Sequence, residues 1–198
     1  MGKKKWTQPQ PLPEFVDTCS ETAFQRAIFW SDHCEIGGIK VQWLDIELPV
    51  DLVRKGRGHC VDLIGRADDN RMVLCELKFG KPGNGCPIKG REQLLDYYYQ
   101  IKKNCIGLDK DDCLHHPNAL EKGTFQWKEL ASDDTLLVLA ANDDYWNYWK
   151  RKNLTPPHDI MCCTIDVDSN CFKKQKEANN NNRYKPYLSQ NKWSIISE

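Results

Sequence analysis

The sequence predicts an α/β fold in which a central mixed β-sheet is flanked by helices. Two observations lead to this prediction: apolar residues at helical spacing alternate along the chain with short strand-like runs, and a hairpin is followed by a helix that returns the chain to the sheet. The chain has 198 residues, of which 40% are hydrophobic and 28% are charged. We therefore expect one globular domain, not a disordered chain or a coiled-coil rod.

Helices are predicted at three places. Thr18 and Glu21 have the spacing of a capping box, and apolar residues follow at helical spacing, which favours a helix over 19–32. Apolar and aromatic side chains recur along one face over 91–104, which predicts a second helix. An aromatic-rich segment, 143–152, is expected to form a short third helix.

Strands account for the rest of the predicted sheet. An extended segment runs over 39–49, and two apolar runs, 59–66 and 72–79, are separated by a polar, turn-forming segment, so they are expected to form a hairpin. Continuous apolar runs at 135–141 and 161–167 predict two further strands.

The chain divides into an arm, one domain and a tail. Residues 1–17 are rich in lysine and proline and indicate a basic N-terminal arm, and residues 18–175 are expected to form the single domain. Residues 105–133 are polar and irregular, which is typical of an insertion in that domain. The segment 176–198 contains an asparagine tract and is expected to be a polar C-terminal tail.

Charge and hydropathy exclude some function classes. Lys and Arg total 28 and Asp and Glu total 28, so the chain is not a strongly basic coat for nucleic acid, although a local basic groove stays compatible with this balance. No apolar stretch approaches the roughly 18 residues of a membrane span, and no apolar signal-peptide core follows the basic N-terminus. We therefore expect a cytoplasmic protein without a membrane partner.

Ten cysteines suggest two alternative readings. In a cytoplasmic chain without a Cys-x-x-Cys pair, most of them are expected to be small buried residues rather than disulfide partners. The alternative is an interaction protein stabilised by zinc or disulfides, with a zinc site in the insertion formed by Cys105, Cys113, His115 and His116.

The residues that point to chemistry lie on the predicted hairpin. Glu76 and Lys78 alternate with apolar residues, so they share one face of their strand, and Asp62 stands in the neighbouring apolar strand. Charged groups in such a setting are costly to bury without partners. Two carboxylates and a lysine meeting at the end of a sheet suit a hard divalent cation, and Asp62 and Glu76 are the expected ligands of Mg²⁺, for which Mn²⁺ can substitute.

These residues resemble the signature of the PD-(D/E)XK nuclease superfamily. Asp62 is followed after thirteen residues by Glu76-Leu77-Lys78, and Gln93 and Tyr97 resemble the Q-x-x-x-Y motif of the RecB-like branch. Val61 stands where the name-giving proline would be. The resemblance implies a restriction-endonuclease-like core, metal binding by Asp62 and Glu76, activation of the attacking water by Lys78, and support of the site by Gln93 and Tyr97.

Further site residues are predicted around this set. Glu21 matches the acid that many members of the superfamily carry on the first helix near the metal, although a capping role explains it equally well. Lys81, Lys89 and Arg91 are candidates for contacts with nucleic-acid phosphates, and a solvated charged face is the equal alternative.

The resulting functional hypothesis is a metal-dependent nuclease that hydrolyses phosphodiester bonds, with DNA as the expected substrate. A homodimer is the arrangement that double-strand cutting by a chain with one site often requires. The alternative is a non-catalytic module on the same fold that binds nucleic acid or serves as a scaffold.

Overall fold

The computed structural model describes residues 21–31, 33–50, 59–80, 85–108, 125–166, 172–176, 182–186 and 192–196. The predicted arm lies outside these residues. Within the described ranges, no helix combines the length and the apolar character needed to cross a membrane.

The described residues form four helices and nine strands. Every predicted helix and strand corresponds to an observed element, with the second helix longer at both ends. In chain order the elements are α1 Glu21–Trp30, β1 His33–Ile36, β2 Ile39–Pro49, β3 Cys60–Ala67, β4 Met72–Lys78, α2 Pro87–Leu108, α3 Trp127–Leu130, β5 Leu136–Asn142, α4 Asp143–Lys150, β6 Met161–Ile165, β7 Phe172–Lys176, β8 Asn182–Pro186 and β9 Lys192–Ile195.

The main sheet closes into a barrel in the order β1-β2-β3-β4-β5-β6-β9. Strands β1 to β4 are antiparallel neighbours, β4, β5 and β6 run parallel, and β9 is antiparallel to β6. Closure comes from the parallel pairing of β1 with β9, in which Glu35 faces Lys192 and Ile36 faces Trp193. The predicted restriction-endonuclease-like core with an open central sheet is therefore wrong, although the strands are mixed and helices flank them.

Among the four strands that the sequence did not predict are the two that close the barrel, β1 and β9. Each has four residues, too few for a periodic pattern to be recognised. β9 lies in the segment 176–198 that was expected to be a tail, and β8 in the same segment pairs with β7 in a separate two-stranded sheet. The domain therefore continues beyond residue 175.

The barrel wall carries an apolar cluster on each face. On the inner face, α1 packs through Phe24 and Ile28 against alternate residues of β2 to β6 and β9. On the outer face, α2, α3 and α4 cover the other set of wall residues. Gly65 leaves space for side chains of the neighbouring strand β2, because a Cβ atom there would lie 2.6 Å from Val41 Cγ1. Polar side chains on these strands are consequently shielded from water.

The predicted insertion, 105–133, contains the end of α2 and the short helix α3. Three of the four candidate zinc ligands lie outside the described residues, namely Cys113, His115 and His116. All seven described cysteines are free thiols, and Cys34, Cys75, Cys162 and Cys163 are buried, as expected for small core residues. Burial raises the pKa values of Cys162 and Cys163 to about 12, so both stay protonated.

Candidate active site

The candidate site lies where β3 and β4 separate. At this end, Leu63 and Cys75 are the last residues of the two strands that pair through their backbones. Beyond them, the side-chain carboxylate of Asp62 bonds to β4 instead. Asp62 Oδ2 accepts a hydrogen bond of 2.7 Å from the backbone N–H of Leu77. An acidic side chain is thus held against the end of β4.

Helix α1 supplies two side chains to this place. Gln25 Nε2 donates to the backbone oxygen of Asp62 at 2.8 Å and to its Oδ1 at 3.3 Å. One turn earlier, Glu21 Oε2 accepts a hydrogen bond of 3.2 Å from the backbone N–H of Phe79. Glu21 is therefore brought to the same end of β4 as Asp62.

One chain of polar contacts connects Glu76, Lys78, Gln93 and Tyr97. Lys78 Nζ lies 2.5 Å from Glu76 Oε1 and 3.5 Å from Gln93 Oε1. Gln93 Nε2 in turn donates to the Tyr97 hydroxyl oxygen at 2.7 Å. The two motif residues on α2 are thus connected directly to the motif residues on β4.

A close approach of α2 to the barrel makes these contacts possible. Gly90, in the first turn of α2, faces Leu139 of β5, and a Cβ atom there would lie 2.9 Å from Leu139 Cδ1. Leu139 is the register partner of Glu76 on the neighbouring parallel strand. The missing side chain at Gly90 therefore lets α2 lie directly over the strand pair that carries the site.

Burial dominates the electrostatics of the two carboxyl groups. Glu76 is 1% exposed, whereas Asp62 and Glu21 keep partial contact with solvent. Burial raises the pKa of Asp62, and the negative charge of Glu76 raises it further. Burial also raises the pKa of Glu76, although Lys78 lowers it in part. The raised pKa of Asp62 favours its protonated form.

Lys78 is held as a cation by its neighbours. Its side chain is 7% exposed, and this burial lowers its pKa. The carboxylate of Glu76 opposes that effect, with smaller contributions from Asp62 and Glu21, and the net result is a raised pKa of Lys78. The site therefore combines a persistent positive charge with acids that resist ionisation.

One acceptor in the site has no hydrogen-bond donor. Glu76 Oε2 is buried, and none of the described residues donates to it. A buried acceptor without a donor is costly, and it commonly marks a place where water, an ion or a ligand binds. Within the described part of the chain, no group of three or more His, Cys, Asp and Glu side chains is arranged to hold a metal ion. A cation bound here would have Asp62 and Glu76 as its protein ligands.

Two supporting residues were not predicted. Gln25, which holds Asp62, lies one turn after Glu21, and this i, i+4 spacing could have revealed it. Asn142 ends β5, and its Oδ1 accepts a hydrogen bond of 3.0 Å from the backbone N–H of Gly80. A polar residue directly after a buried parallel strand is a signal that could have indicated Asn142.

The three residues predicted to contact phosphates differ in their surroundings. Lys81 lies outside the described residues. Lys89 is exposed on α2. Arg91 is engaged by the carboxylate of Asp159, with Nε 2.6 Å from Oδ1, so much of its charge is already compensated.

No family model, no curated protein and no solved structure matches this chain. The resemblance to the PD-(D/E)XK nucleases therefore depends on the motif residues Asp62, Glu76, Lys78, Gln93 and Tyr97 alone.

Proposed function

We propose that this protein is a metal-dependent nuclease that hydrolyses phosphodiester bonds, with DNA as its substrate. The observation that supports this best is the buried set of two carboxyl groups and one ammonium at the end of β4, formed by Asp62, Glu76 and Lys78. Metal-dependent phosphodiester hydrolysis uses a divalent cation and positive charge beside the phosphate, and this set offers groups for both.

Asp62 and Glu76 fit a hard divalent cation. A cation between them would compensate the desolvation that raises both pKa values and the charge of Glu76 that raises the pKa of Asp62, and it would bind the unpaired Oε2 of Glu76. Mg²⁺, with Mn²⁺ as its substitute, suits a site with few carboxylates because it keeps water and phosphate oxygens as its other ligands. A bound ion stabilises negative charge on the phosphate and lowers the pKa of a coordinated water. Glu21 lies at the same end of β4 through its bond to Phe79, but among the described residues it does not form a group of three metal ligands with Asp62 and Glu76.

Lys78 is the residue proposed to act on the reacting group. Glu76 and Gln93 fix its ammonium before substrate binds, so little reorganisation is needed. From this position Lys78 orients the attacking water or adds positive charge to a phosphate oxygen as negative charge develops. Tyr97 contributes indirectly, since it fixes the amide of Gln93. For contacts with more distant phosphates, Lys89 is better suited than Arg91, which is paired with Asp159.

Cleavage of labelled linear, circular and single-stranded DNA tests the proposal. We expect cutting with Mg²⁺ or Mn²⁺, none with a chelator, and a loss of about 10²-fold or more in Glu76→Gln and Lys78→Met. Lys40→Met is the matched control, because Lys40 is exposed and lies beside the β3–β4 turn at the other end of these strands. Cutting of the circular substrate would establish endonuclease action.

Two results would contradict the proposal. If Glu76→Gln and Lys78→Met cut at the rate of the unmodified protein, the site is assigned wrongly. If the protein binds DNA but cuts no substrate with either metal, the non-catalytic module becomes the better account.

A further inference from the structure

Tyr145 has a buried hydroxyl that none of the described residues engages. The side chain is 1% exposed, and its oxygen has no hydrogen-bond partner among those residues. Buried tyrosines usually find a partner for the hydroxyl, because leaving it unpaired costs free energy. The Tyr145 hydroxyl therefore keeps a hydrogen-bond donor for a ligand.

Tyr145 lies on the same face of the barrel wall as Glu76. It follows β5 directly, in the first turn of α4, and belongs to the apolar cluster that contains Leu139 and Tyr97. Leu139 is the register partner of Glu76, so both side chains stand on the outer face of the wall. The carboxylates of Glu21 and Glu76 also lie within electrostatic range of the phenol. Burial is the largest of the effects that raise the pKa of the Tyr145 hydroxyl. The thiols of Cys86 and Cys162 raise it further, and so do the two carboxylates.

The position of the ring is firmly set. The Trp146 indole donates to the backbone oxygen of Cys163 at 2.9 Å, which attaches the first turn of α4 to β6. The Tyr145 ring packs edge-on against Trp146, with ring centroids 5.2 Å apart. A hydroxyl on a ring fixed in this way is oriented before a ligand arrives, which is the condition for an effective hydrogen-bond donor.

Two of the unpaired polar groups on this face are chemically complementary to one ligand. Glu76 Oε2 is an acceptor without a donor, and the Tyr145 hydroxyl is a donor without an acceptor, yet the two do not bond to each other. A divalent cation would satisfy Glu76, and an anionic oxygen would satisfy Tyr145. A phosphodiester bound with a cation supplies both.

We infer that Tyr145 is a substrate-binding residue whose hydroxyl donates a hydrogen bond to a non-bridging oxygen of the scissile phosphodiester. This inference rests on the proposed nuclease function and adds to the motif residues one from α4, outside the resemblance. No covalent step is involved, since the phenol stays protonated and acts only as a donor.

Tyr145→Phe tests the inference, with Tyr148→Phe on the same helix as its matched control. Because the hydroxyl has no partner among the described residues, its removal should leave the urea midpoint unchanged or raise it. In the same variant, kcat/KM for DNA cleavage should fall by about 10²-fold, as for loss of one preorganised donor. Tyr148→Phe should keep the activity of the unmodified protein. This combination of lower activity without lower stability supports the inference.

Other outcomes separate this inference from the nuclease proposal. Full activity in Tyr145→Phe, or a clearly lower urea midpoint, overturns the role of Tyr145 and leaves the nuclease proposal intact. If the unmodified protein cuts nothing, the nuclease proposal fails. The contact between Tyr145 and a phosphodiester is then tested by the thermal stabilisation that Mg²⁺ and a phosphorothioate-linked oligonucleotide give together. Stabilisation that Tyr145→Phe loses supports the contact. Equal stabilisation in both proteins, or none in either, overturns it.

Discussion

We expect Asp62 to make the metal-free protein less stable at neutral pH than a neutral side chain would. Its carboxyl group is desolvated and lies against the carboxylate of Glu76, and both effects raise its pKa above the ordinary value. The native state therefore binds a proton that the unfolded chain releases, and stability falls as the pH rises from the unfolded pKa toward the folded one. The substitution Asp62→Asn removes this titration and keeps the shape of the side chain.

The size of the effect follows from linkage and from two hydrogen bonds. The new amide oxygen can still accept the N–H of Leu77, and Gln25 keeps its shorter bond to the backbone oxygen of Asp62 while its 3.3 Å bond to Oδ1 is lost. Each pH unit over which Asp62 stays protonated only in the native state costs the unmodified protein about 1.4 kcal/mol. Electrostatic coupling of Asp62 to Glu76 and Lys78 makes the loss of stability per pH unit smaller than this. We expect Asp62→Asn to be more stable by about 1–3 kcal/mol at pH 7 and by much less at pH 5.

Urea unfolding with a chelator at pH 5 and pH 7 measures this difference. The slope of free energy against urea concentration should be the same in both proteins, so that the midpoints report stability. Asp69→Asn is the control, because Asp69 is exposed and Arg71 lowers its pKa, so its titration has the opposite sign. An Asp62→Asn protein that is less stable by the same amount at both pH values would refute the reasoning, because the carboxylate would then be a structural acceptor.

Two further substitutions test the packing and charge of the site, each by urea unfolding. Lys78→Met leaves the Glu76 carboxylate buried without its counter-charge, so we expect a loss of about 3–5 kcal/mol at pH 8 that shrinks at pH 5 as the acids take up protons. A loss equal at both pH values would contradict this. Gly90→Ala places a Cβ atom 2.9 Å from Leu139 Cδ1, and we expect a loss of about 1–3 kcal/mol. Unchanged stability would mean that α2 does not depend on this close approach.

The sequence predicts the local elements of this fold well because each carries its own pattern. The hairpin of β3 and β4 has two apolar runs around a polar turn, and α2 has a continuous apolar face. The barrel closure was missed because it depends on the pairing of β1 with β9, far apart in sequence and four residues long each. Such non-local pairing leaves no periodic signal in either segment.

The site could be predicted in part for the same reason. Asp62, Glu76 and Lys78 stand out as charges within apolar strands, and Gln93 and Tyr97 are recognised by their spacing. The unpaired hydroxyl of Tyr145 could not be found this way. Its significance depends on which atoms lack partners after packing, and no local pattern encodes that.

Calorimetric titration of Mg²⁺ into the protein tests the central claim most directly, because the claim is a cation site formed by Asp62 and Glu76. We expect one binding event per chain, lost in Glu76→Gln, retained in Asp69→Asn, and weaker at pH 5 than at pH 7 because the cation must displace the Asp62 proton. Binding of equal strength in Glu76→Gln, or no binding at pH 7 or above, would contradict the account.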